Sequence, residues 1–401
     1  MLFSHFPNAL KPLKNKWNIA ELDGVRVLAI VTIVFGHLGQ FFGSPPYKQY
    51  LHLADVSVDV LLILSGLLIG IILFRSVDRK DHFYFIRFYL RRAMRLLPVY
   101  YVVLFFMAFY VRGGPDFGNI YFWHELLFFT NYPHHGHPGP YLMSWSWYLS
   151  VEEHFYICIP FIILLFARLF PNAGVIPYVA LVVSGYVTTI IVLFFFMNTW
   201  DDESFNDYLF QPTHSRLFFL FSGVLAAYLS HYKSDRVEAF FRNRRITKIC
   251  SMLPLILYGL WLLLATCIGT EAPAAGPIIT LVLWPLSAFT WTIYMLLLMH
   301  ADFPFRRFFR ARVFEYLSPI AYAIFLTHLM VVKLLVRPYA QRTLLFAADH
   351  SALYSWSVCI AMTFVPTLIV SYFLHIQVEK PIRLLRERMS LTRAETATKV
   401  A

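Results

Sequence analysis

The sequence predicts an all-α, polytopic integral membrane protein, and three observations carry that prediction. Hydrophobic residues make up 59% and charged residues only 14% of the 401 residues, against about 45–50% and about 25% in soluble chains. A water-facing surface for a chain of this length cannot be built from so few charges. The aromatic load is high, with 40 Phe and 24 Tyr. Finally, ten apolar stretches of ~17–25 residues follow one another, each long enough to cross a bilayer as a helix.

In order, the stretches are 25–43, 56–75, 95–111, 150–169, 177–197, 213–230, 249–269, 277–299, 316–336 and 352–374. An eleventh, 119–131, is short and reads as interfacial or re-entrant rather than spanning. Lys11, Lys14 and Lys16 precede the first span, and no small-residue cleavage pattern follows it, so it reads as an uncleaved anchor. Basic residues set the topology. With both termini and the alternate loops on one side, that side collects about 27 of the 34 Lys and Arg and the other about four. Both termini are therefore expected in the cytoplasm. Treating 119–131 as a full span would scramble that asymmetry. The predicted organisation is a cytoplasmic segment 1–24, a transmembrane domain 25–374 and a cytoplasmic tail 375–401, with no internal repeat and no second soluble domain visible.

The net charge of +11 would point to nucleic acid in a soluble protein; in a polytopic one most of it is topology, and no nucleic-acid partner is expected. Cys158, Cys250, Cys267 and Cys359 fall in or beside apolar segments without CxxC spacing, which excludes a zinc site or disulfide framework. His134, His135 and His137 share a Gly- and Pro-rich outer loop and read as solvated side chains. No metal site is expected.

Ionisable groups inside spans are costly and are functional candidates by default. Span one carries Arg26 and His37, eleven residues apart. Eleven steps of ~100° leave about 20° after three turns, so the two share one helix face, about 16–17 Å apart along the axis. Asp23, one turn before Arg26, lies near that face. Two readings stand for each. Arg26 snorkels at the interface with Asp23 as partner, or it meets a ligand at the cytoplasmic mouth. His37 is an interhelical hydrogen bonder, or a neutral imidazole able to take a proton. Asp59, Ser65 and Gly66 on span two, Glu152 and Glu153 at the start of span four, Arg216 on span six and His328 on span nine fall at related depths. Together they outline a polar cavity opening outward, although pairing of Arg216 with an acidic neighbour is the slightly preferred reading there. Arg87, Arg91 and Arg95, spaced i, i+4, i+8 beside Arg92, form a basic stripe before span three. Such a stripe serves as a topological anchor or as a grip on phosphates.

Seven of these stretches together resemble the acyltransferase-3 family of membrane O-acyltransferases, over nearly the whole chain. They are LDGVRVLAIVTIVFGHLGQFF with its Arg-x10-His pattern, VDVLLILSGLLIG, FYLRRAMRLLPVYY, WYLSVEEHFYICIP, HSRLFFLFSGVLAAYL, LSPIAYAIFLTHLMV and VEKP. Two positions depart from the family pattern: Tyr148 stands where Ser is usual, and His154 where Gln is common. The resemblance implies a stand-alone form, without an appended extracellular hydrolase-like domain, in the cell (inner) membrane of a bacterium. It implies transfer of an acyl group, most often acetyl, from cytoplasmic acyl-CoA to a hydroxyl of a carbohydrate or glycoconjugate at the outer side, with no bound cofactor. Arg26, Arg91, Arg92 and Arg95 would then hold the polyanionic donor. His37 would act as general base, and Glu152 or Glu153 would orient the imidazole or the acceptor. The rival class is a transporter or flippase of a sugar-containing substrate.

Overall fold

The computed structural model describes residues 20–42, 52–79, 84–132, 141–170, 172–196, 205–267, 275–339 and 352–385; His134, His135, His137 and most of both terminal segments lie outside them. All regular structure among the described residues is helical. The principal helices are α1 (Ala20–Phe42), α2 (His52–Asp78), α3 (Tyr84–Arg112), α4 (Ile120–Leu126), α5 (Trp147–Leu169), α6 (Ile176–Phe196), α7 (Thr213–Tyr232), α8 (Ser234–Phe241), α9 (Arg244–Cys267), α10 (Trp284–His300), α11 (Ala321–Val331) and α12 (Ala352–Leu374). Eight helical segments among the described residues are long and apolar enough to cross a membrane. They coincide with eight of the predicted spans; α1 and α7, of 23 and 20 residues, stand where the other two were predicted.

The largest boundary difference is in α3, which begins at Tyr84 rather than at 95. Charged residues are excluded from hydrocarbon but not from a helix, so the basic stripe and the apolar span form one continuous rod through Pro98. The short stretch at 119–131 becomes α4, seven residues long and about 10 Å in length, which cannot cross a bilayer. Asn119 caps it by accepting from the Tyr121 N–H at 2.9 Å, and the chain leaves through Phe128 at φ 61°. Tyr100 on α3 donates to the Glu125 carbonyl at 2.7 Å, and the Met143 N–H donates to the Glu125 carboxylate at 2.5 Å. The short helix is thereby pinned from both sides.

The core forms around α7, which packs along α2 and α6 and also against α5 and α10. The α2–α7 contact explains one glycine pair. A side chain at Gly66 would meet the Leu220 carbonyl oxygen at 2.0 Å, and one at Gly223 would meet the Ile63 carbonyl oxygen at 2.1 Å. Between helices in lipid the driving force is close van der Waals contact rather than hydrophobic transfer, and small residues permit it. Gly66 therefore serves helix packing. Around this core the surface is apolar: Ile176, Val179, Val183, Val187 and Ile191 of α6 recur at helical spacing and are all exposed.

Candidate active site

Helix α1 carries the central stripe. Most of its surface is buried, from Leu22 and Val25 through Ile33, Val34 and Leu38, yet Arg26 keeps 19% of its side chain accessible and His37 is half-buried. Arg26 binds the Asp23 carboxylate at 2.7 Å, as the snorkelling reading supposed. It also lies within electrostatic reach of Arg95, Tyr148 and Glu152, so the mouth of α1 faces α3 and α5.

At the far end of the stripe, His37 Nδ1 lies 2.9 Å from His328 Nε2, and the two rings are stacked with centroids 5.1 Å apart. His328 Nδ1 in turn lies 2.6 Å from the Phe325 carbonyl oxygen and 3.2 Å from that of Ile324. Carbonyl oxygens only accept, so His328 carries its proton on Nδ1, and in the neutral ring Nε2 presents a lone pair. That lone pair must receive the Nδ1–H of His37. The tautomer of His37 follows: its Nε2 is left with a free lone pair. Helix α11 thus does for His37 what a carboxylate does in other histidine pairs, without burying a second charge.

The acidic residues sit elsewhere. Glu152 Oε1 accepts from the Ser65 hydroxyl of α2 and, at 2.7 Å, from the Tyr148 hydroxyl one turn earlier on α5. Arg92 lies 4.7 Å from the Tyr156 ring centroid and within reach of the charges of Arg95, Glu152 and Glu153. The basic stripe is therefore split: Arg92 turns inward, Arg95 is exposed but faces the same cluster, and Arg91 is simply exposed. Among the described contacts neither Glu152 nor Glu153 hydrogen-bonds His37. The carboxylate within electrostatic reach of that imidazole is Asp55, in the first turn of α2 and just outside the predicted span. Also unanticipated was Tyr322, whose hydroxyl donates to the Leu96 carbonyl at 3.0 Å and lies in the field of Glu153 and Glu152. A signal for Tyr148 was present in the sequence, since it precedes Glu152 by four residues and so shares its face. By the same rule His154, two residues beyond Glu152, points away. It bonds Thr213 Oγ1 at 2.7 Å and stacks near Tyr132.

Asp59 and Arg216 form a separate unit. Arg216 Nη1 meets Asp59 Oδ1 at 3.0 Å with both side chains buried. Asp59 Oδ2 accepts from Ser287 at 2.9 Å, and Arg216 Nε donates to the Phe210 carbonyl at 2.6 Å. The guanidinium lies 4.2 Å from the Phe210 ring centroid and 4.3 Å from that of Trp284. This is the paired arrangement preferred for Arg216 from the sequence, and it ties α2, α7 and α10 together. Among the described residues no group of three or more His, Cys, Asp or Glu is placed to hold a metal ion.

The arrangement of a tautomer-locked histidine, an arginine mouth and a buried carboxylate spans the stretch that matches the family described as an acyltransferase domain, residues 19–376. The chain belongs to this acyltransferase family. It is similar to the peptidoglycan O-acetyltransferase OatA of Listeria monocytogenes, 24% identical over 53% of this chain and 34% of that protein. It is also similar to nose resistant to fluoxetine protein 6 of Caenorhabditis elegans, 23% identical over 74% of this chain and 47% of that protein. The chain thus spans between a third and a half of the length of these relatives. No solved structure matches it.

Proposed function

We propose that the protein is a membrane O-acyltransferase that moves an acyl group, acetyl in the simplest case, from cytoplasmic acyl-CoA to a hydroxyl of a carbohydrate or glycoconjugate on the opposite side. The observation that carries this reading is the His37–His328 hydrogen bond, which leaves His37 Nε2 as a free base. Nε2 takes the acceptor hydroxyl proton as that oxygen attacks the thioester carbonyl carbon. The tetrahedral species collapses with cleavage of the C–S bond, and the departing thiolate takes the proton back from Nε2. While His37 is protonated, its Nδ1–H remains on the His328 lone pair, so the transient cation keeps a hydrogen-bond partner throughout. At the other end of the stripe Arg26, Arg92 and Arg95 form a mouth suited to the phosphates of the donor. Glu152 balances that mouth and holds Tyr148 and Ser65, with Glu153 and Tyr322 beside it.

The test supplies labelled acetyl-CoA to the face bearing the basic loops in membrane vesicles and follows label into outward-facing glycans. Wild-type protein is expected to place label on the acceptor, and His37→Ala to lose the reaction at matched protein levels. Movement of an unlabelled sugar substrate without ester formation would instead establish the transporter class.

A further inference from the structure

A lateral groove of about 460 Å³ lies between α1, α2, α9 and α10, away from the stripe that carries Arg26 and His37. Its walls include Val25, Leu28 and Thr32 of α1, Val60 of α2, and Gly259 and Leu262 of α9. On the α1 wheel, Val25, Leu28 and Thr32 sit roughly 100–160° from Arg26, so α1 is the common wall between the groove and the catalytic stripe. Leu28 and Leu262 are 38% and 44% exposed, which opens the groove sideways between apolar helices.

Two details indicate what fills it. Among the described residues nothing lies within 4 Å of a side chain placed on Gly259, so no described helix contact requires this mid-helix glycine, while a glycine there weakens a helix relative to alanine. At the end bearing the basic loops, Phe309 closes the groove. Its neighbours Arg306 and Arg310 both bind the Glu21 carboxylate, each at 2.6 Å. Glu21 lies one turn before Val25 and so on the groove face of α1. Two guanidiniums against one carboxylate leave a net positive rim, and the Arg310 side chain is 54% exposed.

We propose that this groove holds one hydrocarbon chain of an anionic bilayer glycerophospholipid, with its phosphate on the Arg306–Arg310 rim. The chain lies against the back of α1 and sets the position of the helix that carries Arg26 and His37. The occupant is a lipid rather than a soluble anion, because the lining beneath the rim is almost wholly apolar and opens sideways.

The full chain is placed in nanodiscs of equal phosphatidylglycerol and phosphatidylcholine, extracted, and its retained lipid counted by native mass spectrometry. Wild type is expected to retain one lipid, with phosphatidylglycerol favoured about fivefold per rim guanidinium engaged. Gly259→Phe, which fills open space, is expected to lower retention at least tenfold while its thermal unfolding midpoint shows a folded protein; Gly259→Leu serves as a smaller plug. Arg310→Ala is expected to keep the lipid and to lower the headgroup preference about fivefold. Wild-type retention in both Gly259 variants overturns the proposal, as does equal retention of the two headgroups by wild type. Displacement of phosphatidylglycerol by undecaprenyl phosphate also overturns it and makes the groove a seat for a polyprenyl carrier. None of these readouts depends on acyl transfer.

Discussion

Among the described residues, the Asp59–Arg216 cluster and the α1 stripe both lie inside the bundle, and they differ in how accessible their groups are. Asp59 uses both carboxylate oxygens, on Arg216 and Ser287, and the guanidinium is flanked by Phe210 and Trp284. That cluster is buried and joins three helices, with Arg216 Nη2 left without a hydrogen-bond partner among the described residues. Along α1, by contrast, Arg26 and His37 each have a partner yet remain accessible, and the His328 anchor forces a lone pair of His37 to stay free. Where the surrounding solvent is lipid, a buried charge paired across helices holds them together, and a partnered group that stays accessible is placed to meet a substrate. Mere presence of a charge in a span does not separate the two.

Substitutions can break this distinction, and the largest effect is expected at His37. Removing a general base lowers transfer by about 10²–10⁴-fold, so if His37 acts as proposed, His37→Ala should lose label incorporation to that extent while eluting as a folded protein in detergent. Arg216→Met should act on the other quantity. Leaving Asp59 buried and unpaired costs about 3–5 kcal/mol, read as a lowered unfolding midpoint, and the double variant Asp59→Leu/Arg216→Met should recover much of it. If Arg216→Met instead unfolds like wild type and loses transfer, the two clusters are not different in kind. In the proposed reaction His328 positions His37 rather than touching substrate. His328→Ala should lower kcat about tenfold to a hundredfold with the donor KM unchanged, and His328→Gln, whose amide oxygen can still accept from His37 Nδ1–H, should restore part of the loss.

Smaller effects sharpen the same contrast at the proposed donor end. Tyr148→Phe removes one of the two described hydrogen bonds to Glu152 and should shift the donor KM about fivefold, the worth of ~1 kcal/mol. Glu21, before the predicted span, provides the pH test. Burial alone would raise its carboxyl, but its backbone hydrogen bond and the Arg306 and Arg310 guanidiniums outweigh burial and hold it below the ordinary 4.5. A depressed folded value means the stabilisation is complete above the unfolded value and lost as pH falls through the folded one. Thermal midpoints should therefore decline in acid for wild type, and this component should be missing in Glu21→Gln.

Much of the site was legible because helical geometry is regular. The spacing of Arg26 and His37 on one face needs only the helix repeat, and Tyr148 one turn before Glu152 follows from the same arithmetic. What the repeat cannot supply is the neighbour. Nothing in span nine marks His328 as the partner of His37 rather than a second base, and nothing in span two says that Asp59 turns to Arg216 while Ser65 turns to Glu152. Gly66 shows the limit well. Beside a serine in a polar-looking segment it reads as part of a site, but its lack of a side chain is required by the Leu220 carbonyl of α7.

By itself, the sequence determined the all-helical membrane class, a short non-spanning element at 119–131 and the stripe on α1, because the hydrocarbon thickness and the helix repeat are the same for every chain. The tertiary structure decided which polar groups meet, and through them which are buried in pairs and which remain accessible. Contacts between residues hundreds of positions apart depend on how helices cross, and the proton on His37 is placed by a backbone carbonyl on α11, which no pattern of side chains records.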